Sequence, residues 1–150
     1  MFDTVVVATD GSDSVERAVD VALDLAHRFD ADVHALSVVD AGEVDASPEQ
    51  LREELRTALE THADAALATV ENRADGAVTP AVREGRPGAE ICEYAREVDA
   101  DLIATGTRGR HGENRLLLGS VAERIVRISP VPVLTVRQLE TVDEGAAASV

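Results

Sequence analysis

The sequence predicts an α/β domain: one open sheet of five parallel strands with helices packed on both faces. Three observations carry this. Short apolar, β-branched runs alternate with longer segments whose apolar residues recur at helical spacing, the pattern of repeated βαβ units. The opening run, Asp3-Thr-Val-Val-Val-Ala-Thr9, is continuously apolar and β-branched rather than alternating, as expected of a strand buried on both faces. Length sets the third: 150 residues suit a single domain with a real core. That domain is expected over 1–137, followed by a polar, alanine-rich tail over 138–150 that has no period.

The elements follow in order. Strand one runs from Asp3 to Thr9 and ends in the turn Asp10-Gly-Ser12. Ser12 or Ser14 then caps a first helix whose stripe is Val15, Ala18, Val19, Ala22, Leu25, Ala26 and Phe29. Strand two spans Ala31 to Val39, and Asp40-Ala-Gly-Glu43 begins a loop. Ser47-Pro48-Glu49 reads as a helix start, with a capping hydroxyl and then proline at the first helical position. The stripe Leu51, Leu55, Ala58, Leu59, Ala66, Leu67 and Val70 carries this second helix to about Ala74, where Asp75-Gly76 closes it. Strand three, Ala77 to Arg83, contains Pro80, which cannot donate to a ladder and so belongs at a sheet edge. Glu84-Gly-Arg-Pro-Gly88 turns into a third helix with Ile91, Ala95 and Val98 inward and with Cys92 as a half-buried neighbour. Strand four is Asp101 to Thr105. Helix four is Val121 to Ile128, with Val121, Ile125 and Ile128 on one face. Ser129-Pro-Val-Pro132 breaks it before strand five, Val133 to Arg137.

Composition narrows the function. There are 29 acidic residues against 14 basic ones, for a net charge of −15, and every basic residue is Arg. Such a surface repels nucleic acid and anionic membranes, so neither is an expected partner. It also repels itself unless salt screens it, which points to a salt-rich, halophilic cytoplasm; replacement of lysine by arginine through genome composition is the competing explanation. Without lysine there is no Walker-type phosphate loop and no Schiff-base chemistry. One cysteine allows no internal disulfide. No apolar run approaches the length of a membrane span, and no basic, cleavable leader precedes the first strand, so a cytoplasmic location is expected.

Between strand four and helix four lies Thr105-Gly-Thr-Arg-Gly-Arg-His-Gly-Glu-Asn-Arg-Leu-Leu-Leu-Gly-Ser120. Gly106, Gly109, Gly112 and Gly119 allow bare backbone N–H groups to approach an anion, and Arg108, Arg110, Arg115 and His111 form a basic island in an acidic chain. A solvated loop whose arginines pair with nearby acids would account for the same residues. With strand order 3-2-1-4-5, the order reverses between strands one and four, and ligands in such sheets sit beyond the carboxyl ends at that reversal. Asp10 and the glycine-rich turn then face one crevice. Asp10 is also open to a plain turn-forming role, and Ser120 to capping alone.

Gly106-x-x-Gly109, nine residues, then Gly119-Ser120, together with the opening Val5-Val-Val-Ala-Thr-Asp-Gly-Ser12 and the ending Ser129-Pro-Val-Pro-Val-Leu-Thr-Val136, resembles the universal stress protein (UspA-like) family in its ATP-binding branch. The similarity runs over residues 2–137. It implies a Rossmann-like sheet of the adenine nucleotide alpha hydrolase type and ATP as the ligand. By the resemblance, Thr105, Gly106, Arg108, Gly109, Gly119, Ser120 and Val121 surround the phosphates and ribose. Asp10 meets the ribose side or a nucleotide-bound Mg ion. Val38 reads the adenine edge, with Ala8 and Thr9 lining the same slot. A homodimer through the terminal strand, 133–137, is also implied. Ala122 stands where the family often has a hydroxyl, and Glu113 occupies the variable middle of the motif, where it either weakens phosphate binding or holds a metal ion. His27, His34 and His62 read as surface or filler residues, leaving His111 as the histidine near the site.

Three functions fit this reading: a stress-response regulator that senses ATP, a slow ATP hydrolase, and a dimeric module that no longer binds nucleotide. No catalytic residue is assigned, because Asp10, Glu113 and His111 form no strong constellation.

Overall fold

The computed structural model describes residues 2–108 and 118–139. Five strands, β1 (Thr4–Ala8), β2 (Asp32–Asp40), β3 (Val78–Gly85), β4 (Leu102–Gly106) and β5 (Val133–Val136), form one sheet in the order β3-β2-β1-β4-β5. Every pairing is parallel. Among the described residues the helices are α1 (Glu16–Phe29), α2 (Ala41–Asp45), α3 (Arg52–Arg73), α4 (Pro87–Glu97) and α5 (Ser120–Ile128), with single 3₁₀ turns at Asp13–Val15 and Glu49–Leu51. The expected sheet order is the observed one. Pro80 lies opposite Ala35 on the edge strand β3, where its missing N–H leaves no neighbour unserved.

The pleat divides the core in two. Val5 and Val7 of β1 point to the layer filled by α1 and α3, with Val19, Ala22, Leu67 and Val70. Val6 and Ala8 point to the other, filled by α4 and α5 through Ile91, Cys92, Ala95 and Ile125. Burial of both faces is why the strand is apolar throughout. Asp101 ties the amino ends together: its Oδ2 accepts from the Asp3 and Thr4 amides at 2.8 and 3.0 Å.

Several local expectations are corrected. Neither Ser12 nor Ser14 caps α1; the Ser12 hydroxyl donates to Asp10 Oδ1 at 2.6 Å, and a 3₁₀ turn leads into the helix. Ser47 does not cap α3 either, because its hydroxyl is drawn back to the Glu43 carbonyl at 3.1 Å. The supposed loop after β2 starts with α2, whose N-cap is Asp40: Oδ1 accepts from the Gly42 amide at 2.9 Å. Asp30 and Asp99, not Gly76, take the left-handed conformation after helices, with φ of 53° and 54°. The first half of the α3 stripe overruns the sheet, so Leu51 is exposed while Ala63, Ala66, Leu67 and Val70 are buried. Cys92 is fully rather than half buried. On α5 the inward residues are Ala122 and Ile125, with Ile128 packed partly buried against the same cluster and Val121 exposed. Gln138, expected to open the tail, is held at α1: its Oε1 accepts from the Arg17 amide at 2.9 Å.

Candidate functional site

β1 and β4 are neighbours, paired from Val5 with Leu102 to Val7 with Ala104, so their carboxyl ends open at the same place. A cleft of about 230 Å³ lies there. It is walled by Ala8, Thr9 and Asp10 after β1, by Thr105, Gly106 and Arg108 after β4, by Gly119, Ser120 and Val121 at the start of α5, and by Val38 of β2. The structure thus brings ten of the eleven sequence-selected residues to one cavity. The eleventh, Gly109, lies outside the described residues, as do Arg110, His111, Gly112, Glu113 and Arg115.

The Asp10 corner is built locally. Asp10 Oδ1 accepts from both the amide and the hydroxyl of Ser12, at 2.9 and 2.6 Å, and the Gly11 amide donates to Thr9 Oγ1 at 3.1 Å. Gly11 sits at φ 77°, a conformation glycine adopts without steric cost. Asp10 therefore does form the turn expected of an Asp before Gly, and it also faces the cleft. The Thr9 amide donates to the Leu36 carbonyl at 2.9 Å, which fixes the corner beside β2.

Close backbone approach shapes the opposite side. A Cβ on Gly106 would stand 3.0 Å from the Ser14 carbonyl oxygen and from Val15 Cγ1. One on Gly119 would stand 3.2 Å from the Thr107 carbonyl oxygen and 3.4 Å from Arg108 Cα. The Gly119 amide donates to that same Thr107 carbonyl, closing the stretch back on itself. Gly119 is the N-cap of α5 and has no side chain to cap it with, so Ser120 occupies the first turn instead of capping it. First-turn amides have no partner within their own helix, and the dipole there favours negative charge. Ser120, Val121 and Ala122 of that turn all line the cleft.

The opposite end is apolar. Leu36, Val38, Pro87 and Ile91 line it, with Asp40 as the acid at that end. Sequence reasoning missed Val15, Leu36, Asp40, Pro87 and Ile91 as lining residues, and marked Ala122 only as a position lacking the family's hydroxyl. Pro87 and Ile91 had a findable signal: α4 crosses from β3 back to β4 and must begin at the carboxyl edge. His62 was read as filler, yet its Nε2 lies 2.9 Å from the Asp10 carbonyl oxygen. His34 pairs with Tyr94, Nδ1 to hydroxyl at 2.8 Å, away from the cleft.

Among the described residues, no group of three or more His, Cys, Asp or Glu is placed to hold a metal ion. Among the same residues, no helix is long and apolar enough to cross a membrane.

Comparison with known proteins gives a consistent answer. The model of the universal stress protein family matches residues 1–137. A universal stress protein of Methanocaldococcus jannaschii is 37% identical over 142 residues, which cover 92% of this chain and 84% of that one. The solved structure of hypothetical protein MJ0577 superposes with a TM-score of 0.82 at 26% identity, covering 94% of this chain and 99% of that one. A universal stress protein crystallised in complex with cAMP superposes with a TM-score of 0.71 at 32% identity, covering 91% and 98%.

Proposed function

The chain belongs to the universal stress protein family, and from that premise we propose that it binds an adenine nucleotide, ATP, and acts through a homodimer as a cytoplasmic stress-response sensor or regulator. The observation that carries the reading is the composition of one cleft. Its α5 end offers the first helical turn and Arg108; its β2 end offers Leu36, Val38 and Ile91. An anionic chain joined to a flat, apolar base has this polarity. The phosphates belong at Gly106, Gly119, Ser120 and Val121, with Gly109 from the same stretch. The base belongs against Val38, and the ribose between Ala8, Thr9 and Asp10. The cAMP complex of a relative at 32% identity supports the same ligand class.

The residues fit the nucleotide, since Gly106, Arg108, Gly119 and Ser120 line the cleft together at the N-terminus of α5. A magnesium ion would arrive on the phosphates, with Asp10 as the protein carboxylate near it. The dimer seam is the outer edge of β5, which pairs with β4 on its inner side. Its half-exposed Val133, Leu134 and Thr135 suit a second copy of the chain.

Equilibrium dialysis against ATP in concentrated KCl tests this. The wild type is expected to retain ATP, and Gly119→Val to retain none while keeping its oligomeric state. Equal retention by both would remove the site. Phosphate release no faster from the wild type than from Gly119→Val assigns the protein to binding; faster release assigns it to the hydrolase alternative.

A further inference from the structure

His62 stands on α3, behind the Asp10 corner, and does not line the cleft. Its Nε2 lies 2.9 Å from the Asp10 carbonyl oxygen. A carbonyl can only accept, so Nε2 carries the proton and donates. One helical turn on, Ala66 meets the same corner: a Cβ on Gly11 would come within 3.0 Å of Ala66 Cβ and 3.3 Å of His62 Nε2. The bonds within the turn, from Gly11 to Thr9 and from Ser12 to Asp10, set its shape, and the Thr9 amide bond to Leu36 fixes its β2 side. The His62 bond ties that turn to a 22-residue helix packed on the sheet through Ala63, Leu67 and Val70.

We propose that His62 is a positioning residue for the ligand cleft: by holding the Asp10 carbonyl toward α3 it keeps the Asp10 carboxylate turned to the ligand. The proposal rests on the nucleotide-binding reading above. It makes α3, which contributes no cleft-lining side chain among the described residues, part of the binding apparatus.

The test uses the full chain as wild type, His62→Ala and His62→Gln. Calorimetric titration with ATP should show binding weakened about three- to tenfold in His62→Ala, the worth of one hydrogen bond, with most of it restored in His62→Gln, whose amide N–H can donate to the same carbonyl. Affinity unchanged in His62→Ala, or equally lost in both variants, overturns the proposal. Hydrogen exchange of the Ser12 amide without ligand is the second readout. Exchange should quicken in His62→Ala and return toward the wild-type rate in His62→Gln; an unchanged rate in His62→Ala overturns the proposal independently. A wild type that fails to bind ATP defeats the nucleotide reading, and the exchange rates then decide whether His62 holds the corner.

Discussion

At Gly106 and Gly119 an added Cβ would meet backbone oxygen at 3.0 and 3.2 Å, and the two should respond differently to substitution. At Gly106 the crowding atoms include the Ser14 carbonyl, which belongs to the backbone of the turn before α1 and cannot swing aside. Gly106→Ala is therefore expected to lower stability by about 1–3 kcal/mol, read as a lower melting temperature. At Gly119 the contacts begin at 3.2 Å and the backbone is ordinary, with φ −71°. A valine there should fold and fail in binding, as the dialysis experiment would show. Both glycines were legible in the sequence, because motif spacing marks them. So was Asp10, although the sequence could not say whether it turned the chain or faced a ligand; it does the first and is placed for the second. His62 was not legible. Its partner is a main-chain carbonyl 52 residues away, and no local pattern records such a contact.

At the level of elements, periodicity located every strand and the four long helices, because burial of both sheet faces writes itself into apolar spacing. It failed on ends and short pieces. α2 has five residues, too few for a period, and its signal was only Asp40 two residues before the amide it caps. The serine caps failed because each hydroxyl bonds a local acceptor earlier in the chain, Asp10 for Ser12 and Glu43 for Ser47. Two predictions belong here. Ile125 carries α5 into the core and is fully buried, so Ile125→Ala should cost about 2–5 kcal/mol in denaturant unfolding. The Tyr94 hydroxyl of α4 is pushed above its ordinary value of 10.0 by burial, with the Arg83 guanidinium over its ring opposing the shift. The unfolded chain then loses the phenolic proton first as pH rises. The associated stability is complete below the ordinary value and is lost as pH climbs through the higher folded one. Burial shifts the Cys92 thiol in the same direction. With no lysine in the sequence, few other side chains titrate in that range. Unfolding free energies measured from neutral pH to above about pH 10 should fall with pH, and Tyr94→Phe should flatten the fall. An identical slope in that variant would place the alkaline sensitivity elsewhere.

For the whole molecule, charge matters more than any pair. The ion pairs that cross between elements, such as Arg73 with Asp20 and Arg56 with Glu84, have partly exposed partners, so solvent screening leaves each a small contribution. A net charge of −15 outweighs them at low ionic strength. The melting temperature is therefore expected to rise as KCl is added, in keeping with a salt-rich cytoplasm as the proposed setting; a flat or falling curve would argue for compositional drift instead. Topology was the most legible property of all. Five strands, a proline that had to be at an edge and right-handed crossovers leave few arrangements, and the one chosen places both corners at one opening. The cleft's apolar end was harder to read, because Leu36 and Ile91 look like any core residue until the sheet order sets them side by side. The most direct measurement is a crystal structure grown with ATP. The account predicts the phosphates on the first-turn amides of α5 and at Gly106, the base against Val38, and Asp10 facing the ribose. ATP bound on another face, or a cleft closed by side chains with no nucleotide in it, would contradict it.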